Sequence, residues 1–468
     1  MPQFFDRAEA RRLRSLGIPV FIAQLSQIGM SVTDTIMTGR AGHEHMAAVA
    51  VATSIWAPLS LLAAGSLYAL SPLTAQAAGA GKRAYSAHLL RQGVWLTCAL
   101  SLLFMGFFYA ISHFMEAFGL EPEMARLSSG YLKAVLFGLP GFMLYVNVRG
   151  FLEGHSYTRP DMTIGFLGLL LNIPCNYVLI YGKLGFPALG AVGAGISTAL
   201  CFWFMACCMI WYTRSAPQFK DLRPLFLPLV KTRRQSPQTR FDGALILRIL
   251  RIGLPNAIAL FFEVSLFALT ALLLAPLGST IVAGHQIAMN FSALVFMLPL
   301  TLSIASAIRV GHCLGAEQTM QARAAARTAL CISVFFALCI AVGTLLFRKN
   351  IAWIYTENPE VGELATQLLV FTATYQVLDG LQATSCGILR GYNDTGIILY
   401  VCLFSYWGIG LPLGYILART NLLVPAMGPA GFWTAYILAL AFGAVCYLAR
   451  VRFLHKMKDT EILTRLQR

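Results

Sequence analysis

The chain reads as an all-α integral membrane protein, with twelve transmembrane helices in two pseudo-symmetric six-helix lobes. Three observations predict this. Of 468 residues, 57% are hydrophobic and only 12% charged, about half the charge of a typical soluble domain. Apolar runs of about 20 residues recur from end to end, each enough to cross a ~30 Å hydrocarbon core. A set of small residues and prolines also returns in the same order in the second half of the chain.

The apolar runs place spans at approximately 14–39, 46–78, 93–115, 124–152, 161–181, 191–213, 247–275, 280–308, 325–347, 363–389, 396–418 and 429–451. Several exceed 25 residues, which implies tilting or extension into the interface. The N-terminal stretch is polar and basic, and the apolar run after it has no small-residue cleavage site. It is expected to be a retained first span rather than a removed signal peptide.

The formal net charge is +15. Its distribution reads as a topology signal rather than a groove for nucleic acid. Basic residues cluster at the N-terminus (Arg7, Arg11, Arg12, Arg14), in the second loop (Lys82, Arg83, Arg91), between spans six and seven (Arg214, Lys220, Arg223, Lys231, Arg233, Arg234, Arg240) and in the tail. The alternate loops are acidic, with Glu116, Glu121 and Glu123 in one and Glu357, Glu360 and Glu363 in another. Both termini are therefore expected in the cytoplasm.

The segment from Arg214 to Phe241, with Pro217, Pro224, Pro228 and Pro237, is the only real linker. It divides the chain into an N-terminal lobe (1–213), a cytoplasmic linker (214–244), a C-terminal lobe (245–452) and a cytoplasmic tail (453–468). The lobes repeat. At a spacing of 236, Gly17 and Pro19 match Gly253 and Pro255, and Gly79-Ala80 matches Gly315-Ala316. At 237, Gly150, Leu152, Gly154 and Thr158 match Gly387, Leu389, Gly391 and Thr395. At 238, Pro174, Tyr177, Gly190 and Gly193 match Pro412, Tyr415, Gly428 and Gly431. Six spans per half make the repeats parallel, a transporter plan in which ligands bind at membrane depth between the halves.

The 11 cysteines contain no CxxC pair, and most fall in apolar spans. They are expected to be buried thiols, with no disulfide framework and no metal site. Enzyme signatures are missing too. His43-Glu44-His45 is not HExxH, and no Walker A loop occurs. Any transport should draw on an ion gradient.

Asp34, Glu263 and Asp379 lie inside apolar spans. A charge at the bilayer centre costs roughly 2.5–3.5 kcal/mol even on the lenient scales, so such residues normally face a watery cavity and handle a cation. Tyr375 is four residues before Asp379 and shares its helix face. The pair can coordinate a small cation or pass a proton, or Asp379 ties helices together by hydrogen bonding. Glu263 either handles a cation or is neutralised by a basic group from another span, with Lys133 and Arg149 the nearest candidates. Asp34 lies in the outer part of span one, and its repeat counterpart is Thr270. Asn172 and Asn176 flank Pro174 and either join a polar network around Asp34 or bond between helices. His285, Gln286 and Asn290 form a polar patch early in span eight. Phe261, Phe262 and Phe291 are candidate walls of a cavity for flat organic cations.

Taken together, these residues resemble the multidrug and toxic compound extrusion family, especially its NorM-type bacterial branch, over nearly the whole chain. The resemblance rests on Gln27-x-Gly29-Met30-x-x-x-Asp34-Thr35-x-Met37-x-Gly39 and on Leu171-Asn172-x-Pro174-x-Asn176 with Tyr181-Gly182. It rests also on Phe262-Glu263 and on Tyr375-Gln376-x-x-Asp379-Gly380-x-Gln382, leading to Leu389-Arg390-Gly391-Tyr392-x-Asp394-Thr395. It implies two six-helix lobes around a cleft and efflux of cationic or amphipathic drugs, coupled to inward Na⁺ or H⁺ without other cofactors. It assigns Glu263, Tyr375 and Asp379 to cation binding, and makes Asp34 with Asn172 and Asn176 a second site. Ser31 and Thr38 depart from the family pattern, which often has smaller residues there. The implied partners are small-molecule substrates and the bilayer of the bacterial inner membrane, with the chain a monomer. A lipid-linked oligosaccharide flippase of related architecture is the alternative, but it would call for a cavity lined by Arg. An intramembrane acyltransferase would need a His/Asp or metal constellation at one membrane face, and none is present.

Overall fold

The computed structural model describes residues 5–115, 121–225 and 241–467. Glu116, Pro228, Pro237 and the basic run Lys231, Arg233, Arg234 and Arg240 lie outside the described residues. All regular structure among the described residues is helical.

Twelve long helical segments fall where the apolar runs place them. In the first half they are α1 (Arg7–Ala41), the broken pair α2 (His43–Gly65) and α3 (Leu70–Gly79), α4 (Arg83–His113), the pair α5 (Pro122–Leu136) and α6 (Leu139–Gly154), α7 (Arg159–Tyr181) and α8 (Ala191–Ser215). In the second half they are α9 (Gly243–Leu274), α10 (Ser279–Gly315), α11 (Thr319–Tyr355), α12 (Pro359–Gly391), a composite of α13 (Gly396–Cys402), a π-helical stretch (Leu403–Gly410) and α14 (Leu411–Arg419), and finally α15 (Pro429–Lys456). A short helix, α16 (Asp459–Gln467), ends the chain.

Ten spans are long and apolar enough to cross a membrane, and α5 with α6 qualifies as a pair bent by 43°. The remaining segment, α12, is diluted by Thr366, Gln367, Thr372, Tyr375, Gln376, Asp379 and Gln382 along its length. The helix that reads least like a membrane span is thus the one carrying a candidate site.

The breaks have local causes. Pro140 opens α6, where its missing donor is harmless. The turn between α2 and α3 is met by α9 backbone to backbone: a Cβ added at Gly253 would stand 2.0 Å from the Ser66 carbonyl oxygen. Only glycine permits that approach. In the second half Gly387 comes as close to Ser303, at 2.1 Å from its carbonyl oxygen.

The chain forms two compact units, one of Ile18–Ala257 and one of Met1–Gly17 with Ile258–Arg468. In these units the leading turns of each half's first helix group with the residues of the other half. Each boundary falls at or just after a repeated Gly-x-Pro, Gly17 to Pro19 and Gly253 to Pro255.

The anchoring of these leading turns is itself repeated. Asp6 caps α1 by accepting from the backbone N–H groups of Ala8 (2.7 Å) and Glu9 (3.3 Å). Asp242 caps α9 by accepting from Leu245 N–H (3.0 Å). The Asp6 N–H donates to Thr328 Oγ1 on α11 at 3.1 Å, and the Asp242 N–H donates to Gln92 Oε1 on α4 at 3.1 Å. Asp6 and Asp242 are repeat partners at a spacing of 236, and so are Gln92 and Thr328.

In the first of these anchors Glu9 adds a buried ion pair. Its two oxygens accept from Arg309 Nε and Nη2, both at 2.7 Å, and Arg12 reaches it at 2.7 Å. Removing one partner of a buried pair costs about 3–5 kcal/mol because the other charge is left uncompensated. Glu9→Ala is therefore expected to lower stability by about that much. The double variant Glu9→Ala/Arg309→Met should recover much of the loss, as read from thermal unfolding of the purified protein in detergent.

Candidate functional site

In the Ile18–Ala257 unit, α1, α7 and α8 converge on Asp34. Its Oδ1 accepts from Asn172 Nδ2 at 3.0 Å and from Asn176 Nδ2 at 2.6 Å. Its Oδ2 accepts from Thr198 Oγ1 at 2.8 Å. Asn176 also donates to Asn172 Oδ1 at 3.1 Å. Asp34, Asn172 and Asn176 are all buried. The asparagines meet Asp34 together because four residues on a helix are one turn apart. Every polar contact to the carboxylate is a neutral donor, and no cationic side chain lies within 4 Å of it among the described residues.

In the other unit, α9 carries Glu263 and α12 carries Tyr375 and Asp379. Glu263 Oε1 faces the Tyr406 hydroxyl at 3.5 Å, and that hydroxyl accepts from Gln382 Nε2 at 2.9 Å. Asp379 is buried close enough to Glu263 for the two charges to act on one another, and Tyr375 lies within reach of both. Tyr375 packs edge-on against Trp433, with ring centroids 5.6 Å apart. Neither carboxylate has an ion-pair partner among the described residues. Arg390 is near enough for its charge to act on Glu263, but its guanidinium donates to Ser303 Oγ at 2.7 Å.

Neither proposed neutraliser of Glu263 pairs with it. Arg149 holds Glu153 (2.8 Å) and Asp161 (3.2 Å) instead, and Lys133 meets no carboxylate within 4 Å among the described residues. Glu9, Glu153 and Asp161 are buried acids that sequence reading did not single out. All three sit near helix ends, where composition does not reveal burial, and each is matched by an arginine.

The polar patch on α10 separates. Gln286 donates to Asn290 Oδ1 at 3.0 Å on an exposed face, while His285 is 1% exposed and packs against Trp433. Of the three phenylalanines, Phe262 stacks edge-on with Phe261 and Trp407. Phe291 lies elsewhere, against Ile287, Ala352, Val361, Ala365 and Leu369.

Sequence reading missed Thr198 and Tyr406. Thr198 follows Ser197 inside an otherwise apolar helix, which was a usable signal. Tyr406 sits on the π-helical stretch, where the 3.6-residue period fails and its facing cannot be counted off. Single π turns inside helices often mark functional sites.

A family model described as MatE matches residues 19–178 and again residues 255–416. The chain belongs to the MatE family. The two matches start 236 residues apart, at Pro19 and Pro255, so each half is a MatE unit in its own right. The chain is 47% identical to the multidrug resistance protein MdtK of Proteus mirabilis (strain HI4320), over 98% of this chain and 99% of that one. It is 45% identical to MdtK of Edwardsiella ictaluri (strain 93-146), again over 98% and 99%. Among solved structures, the eukaryotic MATE transporter AtDTX14 superposes with a TM-score of 0.85 at 20% identity, covering 98% of each chain. An outward-facing multidrug resistance MATE family transporter gives 0.83 at 21%, covering 96% of each. These likenesses establish a shared MatE fold.

Because Asp34 accepts three hydrogen bonds and donates none, Asp34→Asn would turn an amide N–H₂ either toward the Asn172 and Asn176 amide donors, which cannot receive it, or toward the Thr198 hydroxyl, which would have to reverse its bond. A buried mismatch of this kind costs about 1–3 kcal/mol. The Asn variant should unfold at lower temperature than the parent by a corresponding amount, and Thr198→Val by less, in a detergent thermal-shift assay.

Proposed function

We propose that the chain is a cation-coupled antiporter that exports cationic and amphipathic drugs by alternating access, drawing on inward Na⁺ or H⁺. The observation that carries this reading is a contrast within one molecule. Buried Glu9, Glu153 and Asp161 each hold an arginine, whereas Asp34, Glu263 and Asp379 hold none among the described residues. Uncompensated carboxylates at membrane depth are sites for an exchangeable positive charge.

Glu263 and Asp379 repel one another when both are ionised. A cation entering between them removes that repulsion, and Tyr375 and Tyr406 supply neutral oxygens for it. Binding biases α9 and α12, which carry the two acids, toward the arrangement that releases drug. Asp34, with Asn172, Asn176 and Thr198, is a second site of weaker repulsion and stronger hydrogen bonding. The naming of the MdtK relatives as multidrug resistance proteins supports the substrate class. The charge pattern of the loops supports cytoplasmic termini and a bacterial inner membrane, with the basic segments inside. The chain is taken to act as a monomer, with no nucleic-acid partner. A lipid-linked flippase is disfavoured because the unmatched buried groups are acidic.

When an exchange cycle carries one net charge inward, it gains about 2.3 kcal/mol per 100 mV, worth roughly a fifty-fold drug gradient. Proteoliposomes with Na⁺, pH and voltage gradients imposed separately test the reading. Asp379→Asn and Glu263→Gln are each expected to lose about that factor in gradient-driven accumulation at 100 mV. Full accumulation in both variants would reject the assignment.

A further inference from the structure

The structure holds a groove that none of the carboxylate chemistry uses. It lies on the surface of the Ile18–Ala257 unit between α5 and α8, with a volume of about 580 Å³. Gly130, Lys133, Ala134 and Phe137 form one wall, one face of α5 at helical spacing. Ala199, Leu200 and Trp203 lie on the other. The lining is apolar apart from the lysine.

Three features define what fits. The first is facing. Tyr131, two residues before Lys133, is 3% exposed and points inward, close enough to Asp34 to feel its charge. Two residues on a helix are about 200° apart, so Lys133 points outward from the unit. The second is depth. From Val192 to Trp203 the α8 wall spans 11 residues, roughly 16 Å, close to half of a ~30 Å hydrocarbon core. The Trp203 Nε1 donates to the Phe137 carbonyl at 2.8 Å where α5 breaks, closing the groove near the middle of both spans. The third is charge. Lys133 meets no carboxylate within 4 Å among the described residues, and a lysine's apolar stem lets its ammonium reach along a span toward the interface.

We propose that this groove binds an anionic phospholipid, one acyl chain lying between α5 and α8 and the headgroup phosphate on Lys133. The length of the groove matches one leaflet, and the amine selects a negative headgroup. The same amine excludes the cationic drugs of the proposed transport, so the groove is a lipid seat and not an entrance for substrate.

The test uses the full chain in vesicles of phosphatidylcholine containing dibrominated phosphatidylglycerol or dibrominated phosphatidylcholine, with tryptophan quenching as readout. One lysine near an anionic surface contributes a preference of roughly fivefold. Dibrominated phosphatidylglycerol is expected to quench at about that much lower mole fraction, and the excess should vanish in Trp203→Phe. Lys133→Gln should abolish the headgroup preference, and Lys133→Arg should keep it. Ala199→Leu, which fills the groove, should weaken quenching by both lipids and separates acyl-chain seating from headgroup pairing. Inorganic phosphate should not compete; competition would place a free anion at Lys133 instead of a lipid. Equal quenching by the two lipids in the parent, or a preference unchanged in Lys133→Gln, would overturn the proposal.

Discussion

A charge at membrane depth is costly unless a neighbouring group of the chain, or water in a cavity, answers it. This constraint sorts the buried acids into two kinds. Glu9, Glu153 and Asp161 are answered by arginines and hold helices in place. Asp34, Glu263 and Asp379 are answered only by amides and hydroxyls, or by each other. Neutral donors soften a negative charge without cancelling it.

The two carboxylate sites follow this logic differently. Asp34 is enclosed by three donors from two neighbouring helices, which offset part of the cost of burying its ionised form. Glu263 has one distant hydroxyl and a second carboxylate for company. The duplication that built both halves did not build both sites, since the counterpart of Asp34 is Thr270. There a hydroxyl hydrogen-bonds Tyr436 instead. Two similar scaffolds thus carry dissimilar electrostatics, a weakly strained site in one unit and a strongly strained one in the other.

Much of this was legible in the sequence. Hydropathy located all twelve segments, and the repeat was visible from Gly17-x-Pro19 and Gly253-x-Pro255 alone. The spacing of Asn172 and Asn176 foretold their shared face, and the rarity of acids in apolar runs singled out the three carboxylates. What stayed hidden depends on tertiary partners. Arg149 looked available to Glu263 until Glu153 and Asp161 claimed it. Glu9 looked like part of a solvated terminus, yet Arg309, 300 residues away, buries it. Tyr406 was invisible because a π-helical turn shifts the register by which facing is counted. His285 sat beside Gln286 in the sequence, but one residue on a helix is a turn of about 100°, and the two point to different surroundings.

The matched anchors of α1 and α9 bear on how the protein is made. Asp6 and Glu9 leave the ribosome about 300 residues ahead of Arg309 and Thr328, which emerge only after seven spans and the linker have been synthesised. The opening turns of α1 must wait through most of translation, whereas Asp242 finds Gln92 already in place. Residues of α1 made well before their partners are therefore fastened late, when the helices that carry Arg309 and Thr328 have been made.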